Sequence, residues 1–276
     1  MLNLLRIEWM KIKNYRTFWI LLGIVVLAIP GVNYAVYSIV RVVTSGGKGP
    51  GGPSGPGGAG GAGGPIINPF SFPDGWHTIC YTSSMLFIMQ AILIITLTTN
   101  EFSFKTHRQN IIDGWSRNAF IGVKLVEVIL LSILSTLVVF LTVLGFGFSS
   151  SHGGVQVLVW QGSRFLFFYF VQVISYSMIA FVIAVLIKRS GLAIGLFLIY
   201  MVVEQVVMGI VTNIFKVSAG QYLPEESTDR LIPFPGIHLM SQAEWEHRIP
   251  GYLVAAGIYL IIYYVVTTRY FLKSDL

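Results

Sequence analysis

Residues 162–215 read GSRFLFFYFVQVISYSMIAFVIAVLIKRSGLAIGLFLIYMVVEQVVMGIVTNIF, and only Arg164, Lys188, Arg189 and Glu204 carry charge in that stretch. A bilayer core takes about 20 apolar residues in a helix. The stretch holds two such runs, 162–187 and 191–215, with Lys188-Arg189-Ser190 turning the chain between them. Working outward, run 18–43 is interrupted only by Asn33, Arg41 and a Pro30-Gly31 pair that predicts a kink. Run 76–99 follows, then 119–148, long enough to tilt or to begin outside the lipid, and finally 249–272. The fold class is therefore an all-α membrane protein with six transmembrane helices in one domain, 17–276.

Composition supports that class. The chain of 276 residues is 54% hydrophobic and 11% charged, whereas soluble domains carry about 25% charged residues. The single cysteine, Cys80, excludes a disulfide within the chain and a cysteine-based metal site. The net charge of +6 sits at the ends of apolar runs, which suits anionic lipid and not nucleic acid. The first run is too long for a signal-peptide core and reads as retained.

Basic residues set the orientation. With the N-terminus in the cytoplasm, six spans return the C-terminus there. Twelve of the 18 lysines and arginines then lie inside: Arg6, Lys11, Lys13, Arg16, Lys105, Arg108, Arg117, Lys124, Lys188, Arg189, Arg269 and Lys273. Arg41, Lys48, Arg164, Lys216, Arg230 and Arg248 lie outside, with Glu225, Glu226, Asp229, Glu244 and Glu246.

Three segments outside the lipid carry information. In 1–16, Leu2, Leu4, Leu5, Trp9, Ile12 and Tyr15 share one side of a helical wheel. Asn3, Arg6, Lys11, Lys13 and Asn14 lie opposite, with Glu8 and Arg16 as exceptions. An interfacial amphipathic helix accounts for this, and so does a charged stop before the first span. Segment 45–65 is an outer loop with glycine at every third position, from Gly46 to Gly64. Seven triplets are few for collagen, so a flexible, solvated loop is the reading. Segment 100–117, between spans two and three, predicts a short helix flat beneath the membrane. Asn100 is placed to cap it, Glu101 to favour its dipole, Asp113-Gly114 to end it and Ser116 to cap the next.

That segment resembles the cytoplasmic coupling region of ABC-2 type transporter permeases. Their pattern is an acid after the second span, a Thr-x-Arg step, a Ser-Arg pair and a lysine entering the third. Here these are Glu101, Thr106, Arg108, Ser116, Arg117 and Lys124, with Lys105 where a small residue is usual. The opening LRIEWMKIKNYRTFWILL is similar to the lantibiotic-immunity and bacitracin-type permeases of that family. The resemblance implies a permease subunit in a bacterial inner membrane, paired with itself or a similar chain. A separate soluble ATPase would bind ATP and magnesium, so this chain would carry no cofactor and no catalysis. Contact with that ATPase falls, by the resemblance, to Glu101, Lys105, Thr106, Arg108, Gln109, Ser116 and Arg117. A non-transporting anchor or signalling subunit is a second class, and an ion-coupled carrier a third.

No catalytic motif competes. There is no H-E-x-x-H, no G-x-S-x-G and no phosphate-binding G-x-x-x-x-G-K-[ST], and Gly46-Gly47-Lys48 lacks the following Ser or Thr. The five histidines lack metal-ligand spacing. Glu204 is the intramembrane polar candidate, either functional or a protonated acid bonded to Tyr200 or a neighbouring helix. Gly191-x-x-x-Gly195 permits close helix packing. The loop 216–248 is acidic and proline-rich. In the family resembled, this region often folds into short helices that dip back at the outer mouth; here 232–240 is apolar enough to lie at the interface, and an ordinary ordered loop fits nearly as well.

Overall fold

A computed structural model describes residues 2–44, 69–104, 116–150, 159–214, 218–235 and 242–273, and their regular structure is helical throughout. The elements are α1 (Leu2–Lys13), α2 (Arg16–Thr44), α3 (Gly75–Ser84), α4 (Phe87–Ser103) and α5 (Arg117–Ser150). They continue with α6 (Arg164–Ile187), α7 (Ser190–Asn213), a 3₁₀ turn (Ser218–Tyr222), α8 (Pro224–Asp229) and α9 (Gln242–Lys273). Helices α2, α5, α6, α7 and α9 are each long and apolar enough to cross a membrane, and the bent pair α3 and α4 passes the same test taken together. Alternation gathers α1, both ends of the 104–116 segment and the end of α9 at one end of the bundle, the terminal end. The end of α2, the start of α3, the start of α6, α8 and the start of α9 share the other, distal end.

The quoted stretch supplies the hub. Of the most apolar window of α6, 67% is buried inside the chain, against 11% for α7 and for α9. Small residues make this possible. Ser175, Ser177, Ala180 and Ala184 on α6 are fully enclosed, as is Ala91 on α4, so backbones approach closely. Tyr176 stacks on Phe87 at 3.7 Å. Outward faces are apolar instead: Leu192, Ile199 and Val202 on α7, and Val254, Ile258 and Ile261 on α9. A helix apolar all round has hydrocarbon or other helices as its surroundings.

Three expectations change. The second span is not one straight helix: α3 and α4 meet at a 46° bend. There the Leu86 N–H bonds the Ser83 carbonyl at 3.0 Å, three residues back instead of four. The hydroxyls of Ser84 and Thr82 also take backbone carbonyls, and serine pairs bend helices this way. The last span begins at Gln242, seven residues early, and runs through Pro250. Trp245 holds that extra turn by packing into the core and donating its indole N–H to the Arg230 carbonyl at 2.9 Å. Third, Asn100 and Glu101 do not open a new helix. They lie in the last turn of α4, where Asn100 Nδ2 donates to the Tyr15 hydroxyl at 2.7 Å. Pro30 and Gly31 lie inside the single helix α2.

Candidate functional site

The terminal end is organised by one lysine. Lys124 rises from the first turns of α5 into the interior, 4% exposed in its side chain, and meets carboxylates from three helices. Its Nζ donates to Glu8 Oε2 of α1 at 3.0 Å, to both oxygens of Glu127 at 3.0 and 3.2 Å, and to Glu101 of α4. Glu8 also accepts from Lys11 at 2.9 Å. Burial opposes ionisation of Glu8, yet the two neighbouring ammonium groups hold its carboxyl down at about 2. Glu8, an exception on the helical wheel, is thus the residue by which α1 docks. It is 2% exposed, while Trp9 and Met10 face outward at 56% and 53%. A small cleft of about 170 Å³, walled by Glu8, Tyr15, Asn100, Glu101, Phe104 and Lys124, opens beside the cluster.

The seven residues assigned to ATPase contact divide. Lys105, Thr106, Arg108 and Gln109 lie outside the described residues. Ser116 is exposed and its Oγ accepts the N–H of Ala119 at 3.2 Å, capping α5. Arg117 opens that helix. Glu101 is 7% exposed and turned inward to Lys124.

At the distal end the loop does not stay in solvent. Helix α8 folds back against α6, α7 and α9, burying Glu225, Glu226, Ser227 and Thr228. Glu204 of α7 receives it: Oε1 accepts the N–H of Glu225 at 2.6 Å and of Glu226 at 3.1 Å. These are orphan donors of a helix N-terminus, so Glu204 caps a helix other than its own. Glu204 lies nine residues before the end of α7, so α8 sits roughly 14 Å in from that end. Asp229, one turn after Glu225, accepts from Gln172 Nε2 at 2.8 Å and from the Tyr176 hydroxyl at 2.9 Å. Burial pushes the Asp229 carboxyl up to about 6 and that of Glu225 well above the usual range. Of the 232–240 stretch, read as interfacial or as an ordered loop, Ile232 lies in the core beside Leu231, and 236–240 lie outside the described residues.

Above α8 opens a cavity of about 680 Å³ between α3, α6 and the start of α9. His77 stacks on Phe165 at 4.2 Å with its Nε2 2.6 Å from the Pro233 carbonyl, a structural role. No atom of another described helix lies within 4 Å of where a side chain at Gly191 or Gly195 would begin, so that pair packs against no helix among the described residues. In Gly145-Phe-Gly147, the second glycine makes room for the Phe72 ring, which a side chain would strike.

Sequence reasoning missed Glu8 and Glu127 as partners of Lys124, and Gln172, Tyr176 and Asp229 as one group. Two signals were present: Glu8 is the lone acid on the apolar side of α1, and Glu127 follows Lys124 by one turn. The grouping around Asp229 depends on how α8 folds back, which spacing does not encode. The chain matches no protein-family model and no curated protein sequence.

Proposed function

We propose that this chain is the membrane-spanning permease of an ATP-driven exporter, with ATP hydrolysed by a separate soluble subunit docked at the terminal end. The observation that carries the reading is the Lys124 cluster. It joins the last turn of α4, the first turns of α5 and the interfacial helix α1. The segment resembling a coupling region leaves from one of those helices and re-enters by another. A push on it reaches two spans and α1 together, because buried ion pairs resist separation far more than solvated ones. Glu101 then transmits the push through Lys124, and the ATPase contacts fall to Lys105, Thr106, Arg108 and Gln109. The terminal end faces the cytoplasm on this reading, the assembly is a dimer, and the substrate is hydrophobic or amphipathic.

The test combines topology and capture. With Cys80 replaced by alanine, a cysteine at the exposed Trp160 should react with an impermeant thiol reagent outside cells, and one at Ser116 should not. A soluble ATPase should co-purify with the wild-type chain in mild detergent and be lost from a Lys105→Glu, Arg108→Glu variant that still inserts. Labelling of position 116 from outside, or unchanged ATPase recovery with the double variant, overturns the reading.

A further inference from the structure

The distal cavity has the size of a small-molecule site, within the usual range of about 300–1,000 Å³. Phe165, Trp245, Tyr81, Phe234 and Tyr252 give it aromatic walls, and Asp229 lies on its lining. A cation already rests on those walls: the Arg164 guanidinium lies 5.2 Å from the Trp245 ring and 5.6 Å from that of Phe165. Ring faces attract positive charge, most strongly where water is excluded.

The charges point the same way. Each arginine of the cavity has its own glutamate: Arg164 with Glu246 at 2.9 Å, and Arg230 with Glu226 at 2.7 Å. Asp74 at the rim and Asp229 deeper in form no ion pair among the described residues, nor do Glu225 and Glu204 behind Asp229. Glu225 is 2% exposed, and neither of its oxygens meets a donor within hydrogen-bonding geometry. The Tyr176 hydroxyl beside it gives its one hydrogen to Asp229. Glu204 Oε2 and Gln172 Oε1 are also buried without donors. The buried atoms left unsatisfied around Asp229 are thus mainly acceptors, and buried acceptors left without donors are costly. On the cavity lining itself, Asp74 and Asp229 are the carboxylates without a cationic partner among the described residues.

We propose that the distal cavity binds an organic ammonium ion, its N–H groups directed to Asp229 and its apolar or aromatic body against the walls formed by Tyr81, Phe234 and Trp245. This binding belongs to the chain by itself and does not rest on coupling to an ATPase.

The probe is phenethylammonium, titrated calorimetrically into the purified full chain in lipid nanodiscs. Its uncharged counterpart 2-phenylethanol and the anion 3-phenylpropionate are the comparisons. Saturable binding of the ammonium is expected, with affinity at least tenfold below it for the alcohol and no binding of the anion. Asp229→Asn should weaken binding at least tenfold and Trp245→Leu several-fold, each with a normal thermal transition. Asp229 is faced by Gln172 and Tyr176 of α6, Glu204 of α7 and Tyr81 of α3, and His77 of α3 lines the same cavity. Tyr259 and Tyr263 of α9 lie beyond, near Glu204, and Glu225, Glu226 and Arg230 are its own neighbours. An alkylammonium stays protonated across neutral pH, so affinity should fall as pH drops through about 6, where Asp229 takes up its proton. That pH profile on the wild-type chain serves if Asp229→Asn fails to fold. Equal affinity for the alcohol, no saturable binding of the ammonium, retention of affinity in folded Asp229→Asn, or a flat profile between pH 5 and 8 overturns the assignment.

Discussion

Two clusters of acids are buried in this bundle, and they differ in one respect. At the terminal end, Glu8, Glu101 and Glu127 surround Lys124, and α1, α4 and α5 are drawn together by that cation. At the distal end, Glu204, Glu225 and Asp229 have no ion-pair partner among the described residues; N–H and O–H donors hold Glu204 and Asp229, and the Glu225 carboxyl meets none. Burial alone disfavours a carboxylate in either place, and a cation in contact opposes that. Glu8, beside two lysines, is therefore held down at about 2, whereas Asp229 is pushed up to about 6. The first cluster is closed around its own cation. The second contains a carboxyl, that of Asp229, which changes charge at about pH 6, and it has room for a positive guest.

The comparison breaks most visibly if the terminal cation is removed. Lys124→Met leaves three carboxylates facing one another, and losing one partner of a buried ion pair costs about 3–5 kcal/mol. Unfolding can be followed through the one native thiol, since Cys80 is buried and unreactive until the bundle opens. The variant should expose Cys80 at markedly lower temperature than wild type. Adding Glu101→Gln to Lys124→Met should recover part of the loss, because one orphaned charge is gone. A Lys124→Met chain as stable as wild type would mean the cluster is not a joint. The Glu8 contribution carries its own pH signature: its folded-state value lies below the unfolded one. That stability is complete above about 4.5 and is lost as pH falls through about 2.

How far these regions could be read in advance follows from what fixes each. The spans follow from hydropathy, because a lipid-facing helix must be apolar over its whole length whatever its neighbours are. The 46° break at Met85-Leu86 does not follow, because Thr82 and Ser84 bend α3 through hydroxyl bonds that a straight helix can equally accept. Lys124 stood out at the entrance to the third span, yet its partner Glu8 is 116 residues away and only packing brings them together. Glu204 stood out as a lone acid in an apolar run. Its ligands are backbone N–H groups of α8, which carry no side-chain signature at all.

A smaller effect separates charge from hydrogen bonding at the distal end. Glu204→Gln keeps an acceptor for the N–H groups of Glu225 and Glu226, and removing the charge from an acidic cluster offsets the weaker bonds. Glu204→Leu leaves both donors buried and unmet, costing about 1–3 kcal/mol each. Thr228 is fully enclosed in α8, so a cysteine there, in a chain lacking Cys80, should be silent while the helix is docked. Reactivity at 228 should rise in Glu204→Leu and stay near background in Glu204→Gln. Equal reactivity in the two would show that Glu204 does not hold α8 by its acceptor.

The smallest effect is expected where a full ion pair stands in the open. Arg164 and Glu246 meet at 2.9 Å, as close as any bond of the Lys124 cluster given above except that to Glu101, but both side chains are nearly half exposed, at 45% and 46%. Water screens the pair, and ordering two long side chains opposes it, so such pairs contribute about 0–1 kcal/mol. Arg164→Ala and Glu246→Ala should each shift the Cys80 exposure midpoint only slightly, and the double variant should match their sum within error. The Arg164 change should be the larger of the two, since its guanidinium also covers the Trp245 ring. Raising salt to 1 M, where charges are screened beyond about 3 Å, should erase what remains of this pair while leaving the wild-type Lys124 joint intact. If salt instead lowers the midpoint of the wild-type chain by as much as Lys124→Met does, water reaches the terminal cluster. The contrast between a buried joint and an open pair would then fail.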